Sequence, residues 1–264
     1  MRVGSGQGQT AISTATADRI VVRGHDLCRD LIGGIGFTAY FYLLVTGRMP
    51  TPQQARFLDA VLVAIAEHGL VPNVAAARMT YAAEPTSLQG AVAAGLLGCG
   101  TVVLGTSEVA GRMIAAALDE LAADGAAANP APLAARLIET YSRERRRLPG
   151  FGHPLHRPAD PRAQRLLSLA EQEGAAGPAT RFARALDAAM QATARPLPMN
   201  VSLAIPAVLL DCGFPLAVLK GIPLLARTAS LVAHLAEEAE SPAGFALADG
   251  GAQAIAFVGI TEPE

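Results

Sequence analysis

Apolar segments with helical periodicity, each ended by glycine or proline, follow one another along almost the whole chain. The spacing is plainest in residues 36–50, 107–125 and 221–240, where apolar side chains return every three or four positions. Strand-like and helix-like segments do not alternate, and no unit repeats at a fixed period. The pattern therefore predicts an all-α fold of more than ten short to medium helices joined by Gly/Pro loops.

The amino-terminal part departs from this helical pattern. Residues 1–17 are small and polar, which predicts a disordered tail. Residues 19–34 begin with a short β-like run, turn at Gly24 and continue as a helix.

One predicted helix carries clear signals at both ends. Thr51 is placed to cap its start, with Pro52 at the first helical position. Gly69 is placed to end it, so His68 is expected in the last turn, where a histidine either caps the helix or serves a site.

Composition limits the classes of function. Hydrophobic residues make up 51% of the 264 residues and charged residues only 17%, so we expect apolar surface to be buried between subunits of a homo-oligomer. The net charge of −2, the absence of tryptophan and 5% aromatic residues argue against nucleic-acid binding. No glycine-rich phosphate loop of the GxGxxG or GxxxxGK[ST] type is present.

The cysteines and the lengths of the apolar runs indicate where in the cell the protein is expected. Cys28, Cys99 and Cys212 lie far apart in apolar stretches without metal-ligand spacing, which predicts reduced, buried thiols in a cytoplasmic protein. The amino terminus lacks the apolar core of a secretory signal, and the apolar runs are interrupted early, so we expect no membrane helix.

The stretch LPGFGHPLHRPADPR, residues 148–162, interrupts the helical pattern with four prolines, two glycines and two histidines. His153 follows Gly-Phe-Gly in a loop, where it is either a surface histidine in a turn or a functional group. Asp160 can cap the next helix with Pro161 at its first position. Arg162 then lies in the first turn, where its charge opposes the helix dipole and favours binding of an anion.

Two further basic features point to an anionic ligand. The run RERRR at 143–147 leads directly into the His153 loop and would place positive charge beside a phosphate-bearing ligand. Arg227 stands in an otherwise apolar helix face and needs an anionic partner, either Asp211 or a substrate carboxylate. Since no metal-ligand cluster is evident, the residues predict a histidine-bearing, anion-binding site assembled from distant segments.

In LPGFGHPLHRPADPRA the sequence resembles the citrate synthase superfamily, whose signature is Gly-aromatic-Gly-His followed by Asp-Pro-Arg at this spacing. The likeness runs from about residue 18 to 260. It includes AEHGLVPN in the His-Gly form of citryl-CoA lyases, PMNVSLAIP, and the arginine-bearing LLARTASLVAHLAEE. The resemblance implies an all-α homodimer with a large domain (18–103 and 200–264) and a small domain (104–199).

The resemblance also implies roles for individual residues. His153 and His68 would be catalytic histidines, His153 at the substrate hydroxyl or keto oxygen and His68 at a carboxylate. Arg162 and Arg227 would bind the substrate carboxylates. The turn would present backbone groups to the coenzyme A adenine and Arg157 would approach its phosphates, which gives the coenzyme A-binding set Pro149, Gly150, Phe151, Gly152 and Arg157. Coenzyme A thioester is then a substrate, and no permanently bound cofactor or metal is expected.

The sequence departs from the family pattern at three places. The catalytic histidine of citrate synthases is replaced by Val103 or Leu104, as in the lyase branch. Ser202 stands where the family has the aspartate that moves the α-proton of the acetyl group, and a serine needs an activating partner for such a role. Another group (Asp249 is a distant candidate) or a water held by Ser202 could serve instead. Arg78 stands where relatives often have a histidine, which predicts altered acyl specificity.

Three functions follow from this sequence. The first is a coenzyme A-dependent carbon–carbon lyase or acyltransferase that acts on citryl-CoA or a related 3-hydroxyacyl-CoA. The second is a non-catalytic or regulatory coenzyme A-binding protein, favoured by Ser202. The third is a purely structural helical subunit.

Overall fold

The computed structural model describes residues 8–100, 104–123, 125, 129–153 and 156–259. Over these residues the chain is mostly helical, which confirms the predicted all-α class. The helices are α1 (Phe37–Thr46), α2 (Pro52–Ala66), α3 (Pro72–Ala83), α4 (Leu88–Leu97), α5 (Thr106–Ala123), α6 (Pro130–Arg143), α7 (Pro161–Gln172), α8 (Pro178–Gln191), α9 (Val201–Asp211), α10 (Gly221–Glu240) and α11 (Gly244–Ala254). A π-helical turn at Leu27–Leu31 and a 3-10 turn at Leu216–Val218 complete the helical elements of this part of the chain.

A small antiparallel sheet precedes the helices. Its strands are β1 (Ser13–Ala15), β2 (Ile20–Val22) and β3 (His25–Asp26), in the order β1-β2-β3. The predicted β-like run and the turn at Gly24, with φ +86°, are confirmed. The prediction of a disordered tail over 1–17 is wrong for β1, because its three residues pair with β2; residues 1–7 lie outside the described part.

Helix α2 begins as its sequence predicts and ends earlier. The Thr51 side chain accepts the first-turn hydrogen bond of a complete capping box, and Pro52 is the first helical residue. The helix ends at Ala66, because Glu67 has an extended backbone and its carboxylate accepts the backbone N–H of Gly69. His68 therefore lies just beyond the helix rather than in its last turn.

Helix α9 runs through the main hydrophobic core. Nearly all of its residues are buried, and it packs against α2, α5, α7 and α8. A second, smaller core joins α3, α4 and α10 through Val74, Ala91, Leu231 and Leu235. The prediction assigned α9 to the large domain and α5, α7 and α8 to the small one; those boundaries remain a prediction.

Segment Leu216–Glu240, which contains α10, is long and apolar enough to cross a membrane by length and composition alone, contrary to the sequence expectation. Core helices of globular proteins meet the same criterion. Helix α10 packs against α2, α3 and α4, and its buried residues include the charged side chains of Arg227 and Glu238.

The three cysteines are free thiols. Cys99 and Cys212 are buried as predicted, whereas Cys28 is exposed because it lies in the π-helical turn next to the small sheet.

Candidate active site

The glycine-rich turn before His153 is fastened to the start of α9. Asn200 donates its backbone N–H to the carbonyl of Gly150 at 2.9 Å and its side-chain Nδ2 to the carbonyl of Gly152 at 2.7 Å. The N–H of Gly152 binds the carbonyl of Pro198 at 2.8 Å. Gly150 has φ +84°, and a Cβ there would lie 2.5 Å from the Cβ of Leu203. Only glycine fits this position, so the turn holds the His153 loop at a fixed place against α9.

These hydrogen bonds change the expected part of the turn in coenzyme A binding. Three of its backbone groups already bond to residues 198–200, and Phe151 forms an isolated β-bridge with Met199. The sequence resemblance predicts that backbone groups of this turn face the adenine of coenzyme A. Contact of the coenzyme with Pro149, Gly150, Phe151 and Gly152 remains a prediction.

Three imidazole rings meet beyond this turn. The ring of His156 stacks on that of His153, with centroids 4.3 Å apart, and lies 6.5 Å from that of His68. His68 and His153 are 5.8 Å apart. The backbone N–H of His156 donates to Nδ1 of His153 at 3.0 Å, which leaves the ring proton of neutral His153 on Nε2. The sequence prediction missed His156, although its spacing from His153 in one loop was a usable signal.

The start of α7 adds an ion pair to the cluster. Asp160 caps α7 as predicted, accepting the backbone N–H of Arg162, and its carboxylate also binds Nε and Nη2 of Arg162 and the backbone N–H of Val201. Burial opposes ionisation of Asp160, but these bonds outweigh it and hold its pKa below the usual value. Nη2 of Arg162 lies 3.5 Å from Nε2 of His153. Arg162 is thus oriented by Asp160 and faces the histidines.

Arg227 is the least satisfied charged group of the site. It is 2% exposed, and its Nε and Nη1 are buried without a hydrogen-bond partner among the residues that the structure describes. Burial lowers its pKa, while Cys99 and Glu67 act in the opposite sense. Asp211 is not its partner, as the sequence had allowed, because the Asp211 carboxylate caps α8 by accepting three backbone N–H groups.

The electrostatics of the cluster keep two of its histidines neutral. Burial, followed by the charges of Arg162 and Arg227, lowers the pKa of His68. Burial, followed by His156, lowers the pKa of His153. A neutral imidazole can accept a proton near pH 7, and the surrounding positive charge favours an anionic ligand.

Ser202 lies at the second position of α9, half-buried, with its backbone N–H bound to Oδ1 of Asn200. The alternative base Asp249 is exposed on α11, which packs against α3. Of the two positions expected to replace the synthase histidine, Val103 lies outside the described residues and Leu104 is buried and apolar.

A polar network behind His68 was not predicted. The Glu67 carboxylate accepts the hydroxyl of Ser230 and lies 3.1 Å from Nε2 of His234. Burial raises the pKa of Glu67, but these bonds and that from Gly69 together lower it to about 2. Arg78 lies 3.4 Å from the other nitrogen of His234 and is bound by Glu237 and Glu238, so its guanidinium is used within the fold rather than directed at an acyl group.

A cavity of about 890 Å³ opens beside His153. It lies between the ends of α6 and α8 and is lined by apolar side chains together with Arg146, Arg147, Arg157 and Arg195. Arg146 pairs with Glu144 and lies over the ring of Tyr141. The other three arginines form no ion pair within the described part of the chain. The cavity is therefore partly apolar and positively charged, which suits a ligand with both apolar and anionic parts.

Within the described residues, one group has the spacing of metal ligands. Single ligand atoms of His153, His156 and Asp160 lie within 4.8 Å of one another. Both oxygens of Asp160 are already bound by Arg162, and that guanidinium also borders His153. A cation at this point would be repelled by Arg162, so the donor set does not fit a metal ion.

Comparison with known proteins places this geometry in a family. The model of the citrate synthase C-terminal domain matches residues 34–244. None of the curated proteins matches the chain significantly. The citryl-CoA lyase of Hydrogenobacter thermophilus has a similar structure, with a TM-score of 0.84 and 27% identity over 97% of this chain and 96% of that one.

Two larger enzymes share the fold. ATP citrate lyase from Methanothrix soehngenii, solved with citrate and coenzyme A, aligns with a TM-score of 0.76 and 21% identity over 99% of this chain and 43% of that one. Citrate synthase from Thermotoga maritima aligns with a TM-score of 0.66 and 20% identity over 87% of this chain and 59% of that one. With the family model spanning most of its length, this chain belongs to the citrate synthase family.

Proposed function

We propose that the chain is a coenzyme A-dependent carbon–carbon lyase that cleaves citryl-CoA, or a related 3-hydroxyacyl-CoA, to acetyl-CoA and an oxoacid such as oxaloacetate. The observation that carries this proposal is Arg227, a buried arginine near the neutral His68, two of whose nitrogens have no partner in the described part of the chain. A buried cation of this kind is costly unless an anion completes it, and a substrate carboxylate does so with bidentate geometry.

The neighbouring groups suit the remainder of such a substrate. Arg162, fixed by Asp160, offers a second cationic contact beside His153. The arginine-lined cavity next to His153 has the size and charge for the coenzyme A part, with Arg157 near its phosphates. The thioester is then a substrate that binds and leaves, and no permanently bound cofactor is invoked.

His153 and His68 begin the proposed cleavage. Because its Nδ1 already accepts the backbone N–H of His156, neutral His153 donates its Nε2–H to the oxygen of the substrate hydroxyl. Neutral His68, whose ring lies 5.8 Å away, takes the hydroxyl proton. The resulting alkoxide collapses to a carbonyl, the adjacent carbon–carbon bond breaks, and the electron pair passes to the thioester enolate. Arg162 and Arg227 hold the carboxylates while this occurs.

Incubation with citryl-CoA, with oxaloacetate followed over time, tests the proposal. We expect turnover in the native protein and loss of at least about 100-fold in His153→Ala. Absence of turnover with citryl-CoA and with related 3-hydroxyacyl-CoA thioesters would contradict it.

Ser202 favours a second candidate, a coenzyme A-binding protein without catalysis, because no carboxylate stands at this position of α9. Calorimetry distinguishes the two, since this candidate requires binding of coenzyme A or acetyl-CoA without turnover. Ser202→Asp is the informative variant: cleavage gained only in this variant would show an intact binding site in a non-catalytic native protein.

We further propose a cytoplasmic homodimer. Large apolar side chains are exposed on the surface of neighbouring helices, among them Leu97 at 88% and Leu88 at 45% on α4. Such surface is commonly covered by a second subunit. Sedimentation velocity measures the oligomeric state of the protein. A monomer would contradict the proposed homodimer.

A further inference from the structure

His156 is an ionisable group of the site to which neither the family signature nor the proposed cleavage gives a task. Its ring is half-buried, stacked on His153 at 4.3 Å and 6.5 Å from His68. One of its nitrogens lies within 4.8 Å of a nitrogen of His153 and an oxygen of Asp160. It therefore lies next to the place that the reacting part of a substrate held by His153 and Arg162 would occupy.

The carboxylates of the site are not available for proton transfer. Asp160 binds Arg162 and the backbone of Val201 through both oxygens. Glu67 is bound by Ser230, His234 and Gly69, and its pKa of about 2 makes it a weak base. Ser202 has a hydroxyl group and no carboxylate. The imidazoles are thus the groups near His153 that can exchange a proton near neutral pH.

We propose that His156 is the acid–base residue for the acetyl carbon, the task that a carboxylate at position 202 would otherwise perform. The inference rests on the proposed lyase function. His68 receives the hydroxyl proton, while Nε2–H of His153 holds the oxygen, as the carbon–carbon bond breaks and the electron pair moves into the thioester enolate. Protonated His156 then gives its proton to the terminal carbon of that enolate, which forms the methyl group of acetyl-CoA. Proton return from His68 to His156 through solvent restores both rings, so the cycle has no net proton change.

The surroundings of His156 suit this division of tasks. His153 faces it from its own loop, Asp160 and Arg162 from the start of α7, and His68 from the segment after α2, which in turn lies near Arg227 on α10. Asp160 is the negatively charged group of this set, and the charges of Arg162 and Arg227 act, after burial, to lower the pKa of His68.

His156→Phe is the variant that tests this role. Phenylalanine retains a flat ring for stacking on His153, and the backbone N–H that binds Nδ1 of His153 is kept. We expect kcat for citryl-CoA cleavage to fall by about 10²–10⁴-fold. The KM and the calorimetric Kd for citrate should stay within about threefold, because Arg162 and Arg227 are untouched. The pH–rate profile of the variant should differ from that of the native protein.

Rescue distinguishes proton transfer from a structural role. Ser202→Asp added to His156→Phe should recover at least about tenfold in kcat, because a carboxylate again serves the carbon. Retained activity with an unchanged pH profile in His156→Phe, loss of citrate binding in it, or failure of rescue would each overturn the inference. Native protein that does not cleave any of the thioesters would instead overturn the proposed function, and this role with it.

Discussion

Two arginines of the described chain are almost entirely buried, Arg78 on α3 at 4% exposure and Arg227 on α10 at 2%, yet their surroundings differ completely. Arg78 donates Nε to Glu238, Nη1 to Glu237 and Nη2 to the carbonyl of Ser241. Arg227 has two nitrogens without a partner among the described residues. The fold itself satisfies the first arginine, and the second is the one that we propose a ligand completes, so burial alone does not tell the two kinds of arginine apart.

Arg78 and Arg227 are linked through Glu67. Arg78 lies 3.4 Å from one ring nitrogen of His234, whose other nitrogen lies 3.1 Å from Glu67. Glu67 also raises the pKa of Arg227 and precedes His68 in the chain. The structural network therefore supports the edge of the site without occupying it.

The largest change in the free energy of unfolding is expected from Arg78→Met. This change leaves the carboxylate of Glu238, which is 2% exposed, without its cation, and breaking such a buried pair costs about 3–5 kcal/mol in free energy of unfolding. Urea denaturation measures this loss. A decrease of less than about 1 kcal/mol would contradict the structural role of Arg78.

Arg227→Met should act in the opposite direction. Without ligand, replacing an unpaired buried cation by an apolar side chain of similar length should raise the free energy of unfolding by about 1–3 kcal/mol. The same urea denaturation, performed in ligand-free buffer beside Arg78→Met, gives the comparison. Destabilisation like that of Arg78→Met would mean that the chain itself satisfies Arg227.

A smaller effect on the stability of the fold is expected from a change of pH. The pKa values of His68 and His153 lie below the ordinary 6.5, so the unfolded chain binds more protons than the folded chain just below that pH. Their contribution to stability is complete above about pH 7 and is lost as the pH falls through 6.5 towards the folded-state values. Unfolding measured from pH 7.5 to 5.5 should show this decline, and replacing both histidines by asparagine should reduce it. A stability that rises on acidification would contradict the neutral site.

Sequence patterns that involve only neighbouring residues predicted many of the structural elements. The caps at Thr51 and Asp160, the helical class and the turn at Gly24 depend on neighbours a few residues away, and each is confirmed. The end of α2 was misplaced because the side chain of Glu67, rather than Gly69, sets it.

Long-range partners could not be predicted in this way. Whether Asp211 served Arg227 or the start of α8 depends on how α8 and α9 pack, which the spacing of residues does not encode. Arg195 reaches the cavity from beyond α8, far from the RERRR run that indicated positive charge. His156 was within reach of the sequence, since it shares a loop with His153, but its stacking required the folded loop.

Calorimetric titration of citrate into the native protein and into Arg227→Met tests most directly whether Arg227 is completed by a ligand. The account predicts binding by the native protein and an affinity at least about 30-fold lower in the variant, the cost of about 2 kcal/mol for removing one partner of a buried charge pair. Equal affinities in the two proteins, or no binding by the native protein, would contradict it.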